Sequence, residues 1–172
     1  MMNLPNMLTT LRIVMIPLYL IFQMVGSGRA EVVAAIIFIA ASFTDFLDGY
    51  LARKNNLVTN YGKIMDPLAD KLLVLTALIA LAVQNKLAIW VVIIILAREL
   101  GITSLRAVAS SEGIVIAAGP WGKVKTVTQM VAIVLLILGW PFGTALIYLA
   151  VLLTIISAVD YVVKFSHQVS WQ

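Results

Sequence analysis

Apolar residues form long runs along this chain, and short polar or turn segments separate them. The clearest runs cover residues 13–25, 32–44, 72–85 and 87–97. Residues 126–159 contain no charged side chain, and the stretch from Gly139 to Gly143 inside them has the composition of a hairpin between two helices. The pattern therefore predicts six helices, over approximately 12–26, 31–54, 66–84, 87–109, 121–139 and 143–165.

Composition favours a membrane protein over a soluble domain. Apolar residues make up 62% of the 172 positions and charged residues only 12%, whereas soluble domains are about half apolar and about a quarter charged. Because backbone groups in lipid must be hydrogen-bonded internally, helices are the expected form of such segments. We therefore expect an all-α, polytopic integral membrane bundle of six transmembrane helices, forming one domain over residues 1–172.

The distribution of basic residues predicts the orientation in the membrane. On this topology ten of the twelve Lys and Arg residues fall on one face, and only Arg29 and Lys86 fall on the other. Basic residues favour the cytoplasmic side, so the rich face is predicted to be cytoplasmic. They are scattered between apolar runs, which is typical of membrane anchors and not of a nucleic-acid patch. The N-terminal run lacks the features of a signal peptide and is expected to be retained.

Four of the eight acidic residues lie between positions 45 and 70. Asp45 and Asp48 are spaced i,i+3 near the end of the second predicted helix, and Asp66 and Asp70 are spaced i,i+4 near the start of the third, so each pair shares a helix face. The polar turn between the helices lets the four carboxylates converge. Like charges at the edge of a low-dielectric slab repel, and bound cations relieve that repulsion. Oxygen-only ligands favour Mg²⁺, with Mn²⁺ or Ca²⁺ as alternatives.

Proline at position 67 complicates the third helix. It has no amide hydrogen and disfavours helical backbone at Asp66. An alternative prediction is that this helix begins at Pro67 with Asp66 as its cap.

Small residues and one arginine accompany the aspartates. Gly49, Ala52 and Gly62 would let a bulky ligand approach the backbone, and Arg53 provides a fixed cation suited to phosphate. Taken singly, each of these has an ordinary explanation as a packing, turn or anchoring residue. Their combination with four aspartates favours a site.

The segment from Asp45 to Asp70 resembles the signature of the CDP-alcohol phosphotransferases. It matches at every signature position, with eight residues between its halves: Asp45-Phe46-Leu47-Asp48-Gly49-Tyr50-Leu51-Ala52-Arg53 and Gly62-Lys63-Ile64-Met65-Asp66-Pro67-Leu68-Ala69-Asp70. The resemblance implies two divalent cations, Mg²⁺ or Mn²⁺, held by the four aspartates, with Asp70 as general base. It also implies that the nucleotide lies near Asp48, Gly49, Ala52, Arg53 and Gly62, and that the enzyme is a homodimer.

Segments outside the signature resemble the bacterial phosphatidylglycerophosphate synthase branch of the family. They are residues 3–12, 97–99, 122–126 and 153–158. The likeness implies transfer of the phosphatidyl group of CDP-diacylglycerol to sn-glycerol 3-phosphate, giving phosphatidylglycerophosphate and CMP. It implies a multi-pass protein of the bacterial cytoplasmic membrane, in contact with lipid, with its active site facing the cytoplasm.

A phosphorylated acceptor needs cations, and four candidates lie on the cytoplasmic side of the fourth and fifth predicted helices. Arg106 and Lys123 are the preferred pair and Lys125 comes next, while Arg98 has Glu99 as an alternative partner. Arginine is well shaped for bidentate contact with phosphate. The ordinary alternative for each is a positive-inside anchor.

The N-terminal residues Asn6, Thr9 and Arg12 suggest an interfacial segment that lies over the site and touches nucleotide or lipid phosphate. The alternative is a helix N-cap followed by an anchor.

Several other functions stay open at this stage. The same chemistry could use serine, inositol phosphate or a lipid as acceptor. A small ion transporter would also carry intramembrane aspartates, although clustering at one membrane edge argues against a path through the bilayer. A non-catalytic membrane assembly protein would tolerate loss of Asp45 or Asp66.

Overall fold

The computed structural model describes residues 4–54, 60–111, 113, 114 and 119–168, and within them the side chains other than those of 4, 5, 46–54, 60, 61, 63, 64, 120 and 168. Six α-helices account for most of this part of the chain, which confirms the predicted all-α class and helix number. They are α1 (Leu4–Val25), α2 (Gly28–Lys54), α3 (Asn60–Val83), α4 (Ile89–Ser111), α5 (Pro120–Ile137) and α6 (Phe142–Gln168).

Helix α1 begins earlier than the sequence predicts and runs through Pro17 without a break. Pro5 falls in its first turn, where a missing amide hydrogen costs nothing because that group has no helical partner. Asn6 and Thr9 are therefore helical residues of α1, and the alternative that they form its N-cap is wrong.

Helix α3 also begins earlier than predicted, at Asn60, and contains Pro67. The alternative start at Pro67 with Asp66 as a cap is therefore wrong. Proline inside a helix removes one backbone hydrogen bond but does not end the helix when tertiary packing supports it. Because α3 is continuous here, Asp66 and Asp70 lie one turn apart on the same face.

The helices pack in two groups. Helix α1 lies against α2 and α3, α6 lies against α5 and α4, and smaller contacts of α2 and α3 with α5 and of α3 with α4 join the groups. Both groups contribute to the main core. Within the first group, Tyr19 of α1 meets Phe38 of α2 in this core, with ring centroids 5.9 Å apart. Buried alanines, which let helix backbones approach closely, recur in this core: Ala34, Ala35, Ala41, Ala77, Ala132 and Ala150.

A tight turn joins α5 to α6, as the sequence predicts. Gly139 adopts a left-handed φ of 68°, and the Trp140 amide donates to the Leu135 carbonyl at 2.9 Å. This arrangement ends α5 in the way common for helices followed by glycine.

Large apolar side chains cover much of the outer surface. Each helix contributes some that are about half exposed or more, including Ile21, Ile36, Ile79, Ile93, Val127 and Leu152. Among the described residues, two helical segments are long and apolar enough to cross a membrane, Asn6–Val25 and Phe142–His167. A surface of this kind requires an apolar environment or a partner.

Candidate active site

Helices α2 and α3 place three of the four predicted metal ligands in one region of the bundle. Asp45 lies on α2, Asp66 and Asp70 lie on α3, and the Asp45 carboxylate is close enough to the other two to interact with both electrostatically. Gly62 is buried near the start of α3. The side chains of the remaining signature candidates, Asp48, Gly49, Ala52 and Arg53, lie outside the described residues.

Helix α1 supplies polar partners to this cluster. Arg12 Nη1 lies 2.9 Å from Asp45 Oδ1, and the arginine side chain is fully buried. Thr9 Oγ1 donates a hydrogen bond to Asp66 Oδ1, and Asn6 is buried one turn earlier. The structure therefore brings all three N-terminal candidates to the same end of the bundle as the aspartates.

The chemistry of the cluster fits a hard divalent cation. Within the described part of the chain, no group of three acidic or histidine side chains lies close enough to hold a metal. The predicted set, however, includes Asp48, whose side chain is outside that part. The donors that are described are carboxylate and hydroxyl oxygens, which suit Mg²⁺ or Mn²⁺ and no softer metal.

A cleft of about 500 Å³ adjoins the cluster. Asp70 lines it, and so do all four candidate acceptor cations, from α4 (Arg98, Arg106) and α5 (Lys123, Lys125). Asp70 is thus shared between the aspartate cluster and the cationic cleft. A smaller cavity of about 60 Å³, also lined by Asp70 and Lys125, extends between α3, α4 and α5.

Glu99 organises two of the cations in the cleft. Its Oε1 atom accepts a hydrogen bond from the buried Lys125 ammonium and lies 3.2 Å from Arg98 Nη1. Arg98 Nη2 in turn donates to Ser157 Oγ on α6 at 2.9 Å. The sequence indicates Glu99 as a partner of Arg98, as an alternative to acceptor phosphate. Nothing in the local spacing, however, points to Lys125 as a partner of Glu99.

Two of the cations carry charge that no described carboxylate neutralises. The Arg106 guanidinium stacks over the Tyr161 ring, 5.6 Å from its centroid, and Lys123 is exposed. Neither has an acidic partner among the side chains that the structure describes. Lys71, which sequence reasoning treats only as an anchor, also lines the cleft and donates to Thr103 Oγ1. The cleft therefore carries a net positive charge suited to a phosphate ester.

Comparison with known proteins identifies the family. A family model described as CDP-alcohol phosphatidyltransferase matches residues 2–156. A Bacillus subtilis protein named CDP-diacylglycerol–glycerol-3-phosphate 3-phosphatidyltransferase is 43% identical, and the match covers 95% of each chain. A Mycobacterium tuberculosis protein named probable phosphatidylglycerophosphate synthase is 44% identical, over 94% of this chain and 81% of the relative. A Haemophilus influenzae protein with the same name as the Bacillus relative is 36% identical, over 92% of this chain and 91% of its own. The chain belongs to the CDP-alcohol phosphatidyltransferase family.

Proposed function

We propose that this chain is a metal-dependent enzyme that transfers the phosphatidyl group of CDP-diacylglycerol to sn-glycerol 3-phosphate. The products are phosphatidylglycerophosphate and CMP. The names of the Bacillus and Haemophilus relatives contain both substrates. The main structural support for the proposal is that Asp70 and the four candidate cations line the same cleft. A phosphorylated alcohol needs a base for its hydroxyl and cations for its phosphate.

The chemical step is a displacement at phosphorus. The Asp70 carboxylate accepts the proton of the primary hydroxyl of glycerol 3-phosphate. The hydroxyl oxygen forms a bond to the phosphorus that bears diacylglycerol, and the bond from that phosphorus to the bridging oxygen breaks, so that CMP leaves with the electron pair. A positioned base of this kind contributes about 10²–10⁴-fold to the rate.

Two divalent cations, Mg²⁺ or Mn²⁺, are proposed to bind Asp45, Asp48, Asp66 and Asp70. When bound, they would polarise phosphoryl oxygens and balance charge on the leaving group. The chain's own contribution here is to orient the carboxylates: Arg12 holds Asp45 and Thr9 holds Asp66. We further propose that the nucleotide lies along residues 48–53 and Gly62, with Asn6, Thr9 and Arg12 on its other side.

The acceptor phosphate is proposed to bind Arg106 and Lys123, with Lys125 and Arg98 nearby. The support is that the first two have no described acidic partner, whereas Glu99 already binds the other two. A free cation exchanges hydration for a phosphate contact without first breaking an ion pair, so Arg106 and Lys123 are the stronger candidates.

We propose that all six helices span the cytoplasmic membrane of a bacterium, with the cleft towards the cytoplasm and the enzyme forming a homodimer. The apolar surface on every helix supports burial in lipid. The excess of basic residues at the end that carries the cleft supports the orientation. CDP-diacylglycerol would keep its acyl chains in the lipid and present its diphosphate to the aspartates.

Purified full-length enzyme in mixed micelles with CDP-diacylglycerol provides the test. With Mg²⁺ or Mn²⁺ and glycerol 3-phosphate we expect CMP release and a phosphatidylglycerophosphate product. Serine and inositol phosphate should give neither, and EDTA should abolish turnover until metal is restored. Turnover with serine or inositol phosphate but not glycerol 3-phosphate would reject the acceptor while retaining the chemistry. Turnover unaffected by EDTA would reject the metal.

A further inference from the structure

A small cavity lies beside the cleft, between α4, the start of α5 and α6. Its volume is about 20 Å³, which is enough for one atom the size of a water oxygen. Arg98, Arg106 and Gly122 line both the cavity and the cleft. The two spaces therefore adjoin, and an atom in the cavity can belong to a molecule bound in the cleft.

Two residues of the cavity lining carry buried polar atoms that have no partner among the described residues. Among the described residues, neither the Tyr161 hydroxyl nor Arg98 Nε makes a hydrogen bond, although both atoms are shielded from solvent. Tyr161 as a whole is only 4% exposed. Buried polar groups are nearly always paired, and an unpaired one marks a place where a ligand or an ordered water completes the structure.

The character of the cavity favours an anionic oxygen over a neutral group. Arg98 Nε can only donate a hydrogen bond and the tyrosine hydroxyl can also donate, while the Arg106 cation lies over the tyrosine ring. The one acidic residue in the lining, Asp160, is neutralised by Lys164, with Nζ 2.7 Å from Oδ2. An oxygen that accepts two hydrogen bonds next to two guanidinium groups is what a phosphate supplies.

We infer that Tyr161 donates its hydroxyl hydrogen to a phosphate oxygen of the acceptor, with Arg98 Nε as the second donor to the same oxygen. The rest of the phosphate lies in the cleft against Arg106 and Lys123. Tyr161 is then a specificity-determining residue, because an acceptor without phosphate leaves both buried donors unpaired, and such sites reject the analogue that lacks the bonding group. The inference rests on the proposed function in one respect, namely that the acceptor is a phosphate ester.

The variant Tyr161→Phe isolates the hydroxyl. It keeps the ring, its packing on α4 and its contact with Arg106. We expect the KM for glycerol 3-phosphate to rise at least about tenfold, with kcat and the KM for CDP-diacylglycerol close to wild type. The inhibition constant of inorganic phosphate, measured against the acceptor, should rise by a similar factor.

Tyr19→Phe is the matched control. Tyr19 is also fully buried, and its hydroxyl also has no partner among the described residues, but it packs on Phe38 in the main core and lines neither the cavity nor the cleft. Loss of the Tyr19 hydroxyl should leave all kinetic constants unchanged. Neither variant should lower the melting temperature, since each removes an unpaired buried group. Should Tyr161→Phe fail to fold, Arg98→Lys removes the Nε donor and keeps the charge. Because it also alters the bonds of Arg98 with Glu99 and Ser157, Ser157→Ala is its control, and the KM for glycerol 3-phosphate should rise more in Arg98→Lys than in Ser157→Ala.

Each result decides between explanations. An unchanged KM and an unchanged phosphate inhibition in Tyr161→Phe would overturn the inference and assign the cavity to a water. A raised KM with unchanged phosphate inhibition would assign Tyr161 to an acceptor hydroxyl and overturn the phosphate contact. If the wild-type enzyme showed no turnover with glycerol 3-phosphate, the proposed function would be overturned instead. In that case, the anion site would still be supported if inorganic phosphate inhibited CMP release less strongly in Tyr161→Phe than in the wild-type enzyme.

Discussion

Arg12 on α1 and Asp45 on α2 form an ion pair in which Nη1 lies 2.9 Å from Oδ1 and the arginine side chain is fully buried. Arg12 Nε also donates to the Ala41 carbonyl at 3.2 Å. One side chain of α1 therefore binds both the backbone and a carboxylate of α2. This makes α1 part of the candidate site and explains why a charged residue is buried near the N-terminal end of this largely apolar helix.

The variant Arg12→Met should be both less stable and less active. It keeps most of the bulk but leaves Asp45 without its cation, and breaking a buried ion pair costs on the order of 3–5 kcal/mol. Because Asp45 is 36% exposed, water can solvate the carboxylate that remains, so a smaller loss of about 1–3 kcal/mol is expected. Thermal unfolding in detergent micelles and CMP release measure the two effects.

The double variant Arg12→Met, Asp45→Asn tests whether the lost stability comes from the unpaired charge of Asp45 or from the missing contacts of the arginine side chain. If the lost stability reflects an uncompensated carboxylate, the double variant should recover most of the melting temperature. It should stay inactive, because Asp45 is also a proposed metal ligand. A double variant as unstable as Arg12→Met would assign the loss to the other contacts of Arg12, which include the bond with the Ala41 carbonyl.

Replacing Asp70 with asparagine should abolish turnover and leave the fold intact. The amide is nearly the same size but cannot accept a proton, so kcat should fall about 10²–10⁴-fold. The melting temperature should stay close to wild type, and additional Mg²⁺ should not restore activity. Glu31→Gln is the control, since it weakens the Glu31–Lys86 pair at the other end of α2 and should keep turnover. Near-wild-type activity in Asp70→Asn would remove this residue from the mechanism.

The sequence predicts the helices well because its apolar runs are long and charges mark their ends. It misplaces the starts of α1 and α3 because the prediction follows the apolar runs, whereas both helices extend into the more polar residues that precede them. Proline in a first turn is favourable, and proline further inside a helix is permitted where neighbouring helices support the chain. The tolerance of Pro67 inside α3 depends on tertiary packing, which no local pattern reveals.

The same limit applies to the site. The signature aspartates are predictable because helical spacing alone puts each pair on one face. The bond between Glu99 and Lys125 joins residues on different helices, and no local periodicity indicates it. Tyr161 in the sequence is one more aromatic residue in an apolar helix. Its polar surroundings become evident only when α4 and α5 pack against α6.

Glu99 and Lys125 should behave as one unit in a double-mutant cycle. Without Glu99, the buried Lys125 ammonium would have Asp70 as its closest remaining acidic neighbour in the cleft. Pairing with Asp70 would occupy the base, so Glu99→Gln should lower kcat about tenfold or more, within the contribution of a general base. Lys125→Met should raise the KM for glycerol 3-phosphate. Residues in direct contact give non-additive effects.

The double-mutant cycle gives a specific prediction for Glu99→Gln in the Lys125→Met background. There is then no ammonium to redirect towards Asp70, so the loss of kcat caused by Glu99→Gln should largely disappear. Steady-state kcat and KM for both substrates in the four proteins measure this. An equal loss of kcat in both backgrounds would show that Glu99 acts independently of Lys125.

Gly143 sets how closely α6 approaches α5, and Gly143→Ala should therefore weaken both the fold and the acceptor site. A Cβ atom at this position would lie 2.9 Å from the Leu136 amide nitrogen and 3.1 Å from the Leu135 carbonyl carbon, which are backbone atoms that cannot rotate away. Overpacking of this kind costs about 1–3 kcal/mol. Because α6 carries Ser157 and Tyr161 to the small cavity beside the cleft, a displaced α6 should raise the KM for glycerol 3-phosphate more than that for CDP-diacylglycerol. Gly101→Ala in α4 meets nothing within 4 Å and should be neutral or stabilising by up to about 1 kcal/mol. Equal melting temperatures for the two variants would contradict this account of the contact between α5 and α6.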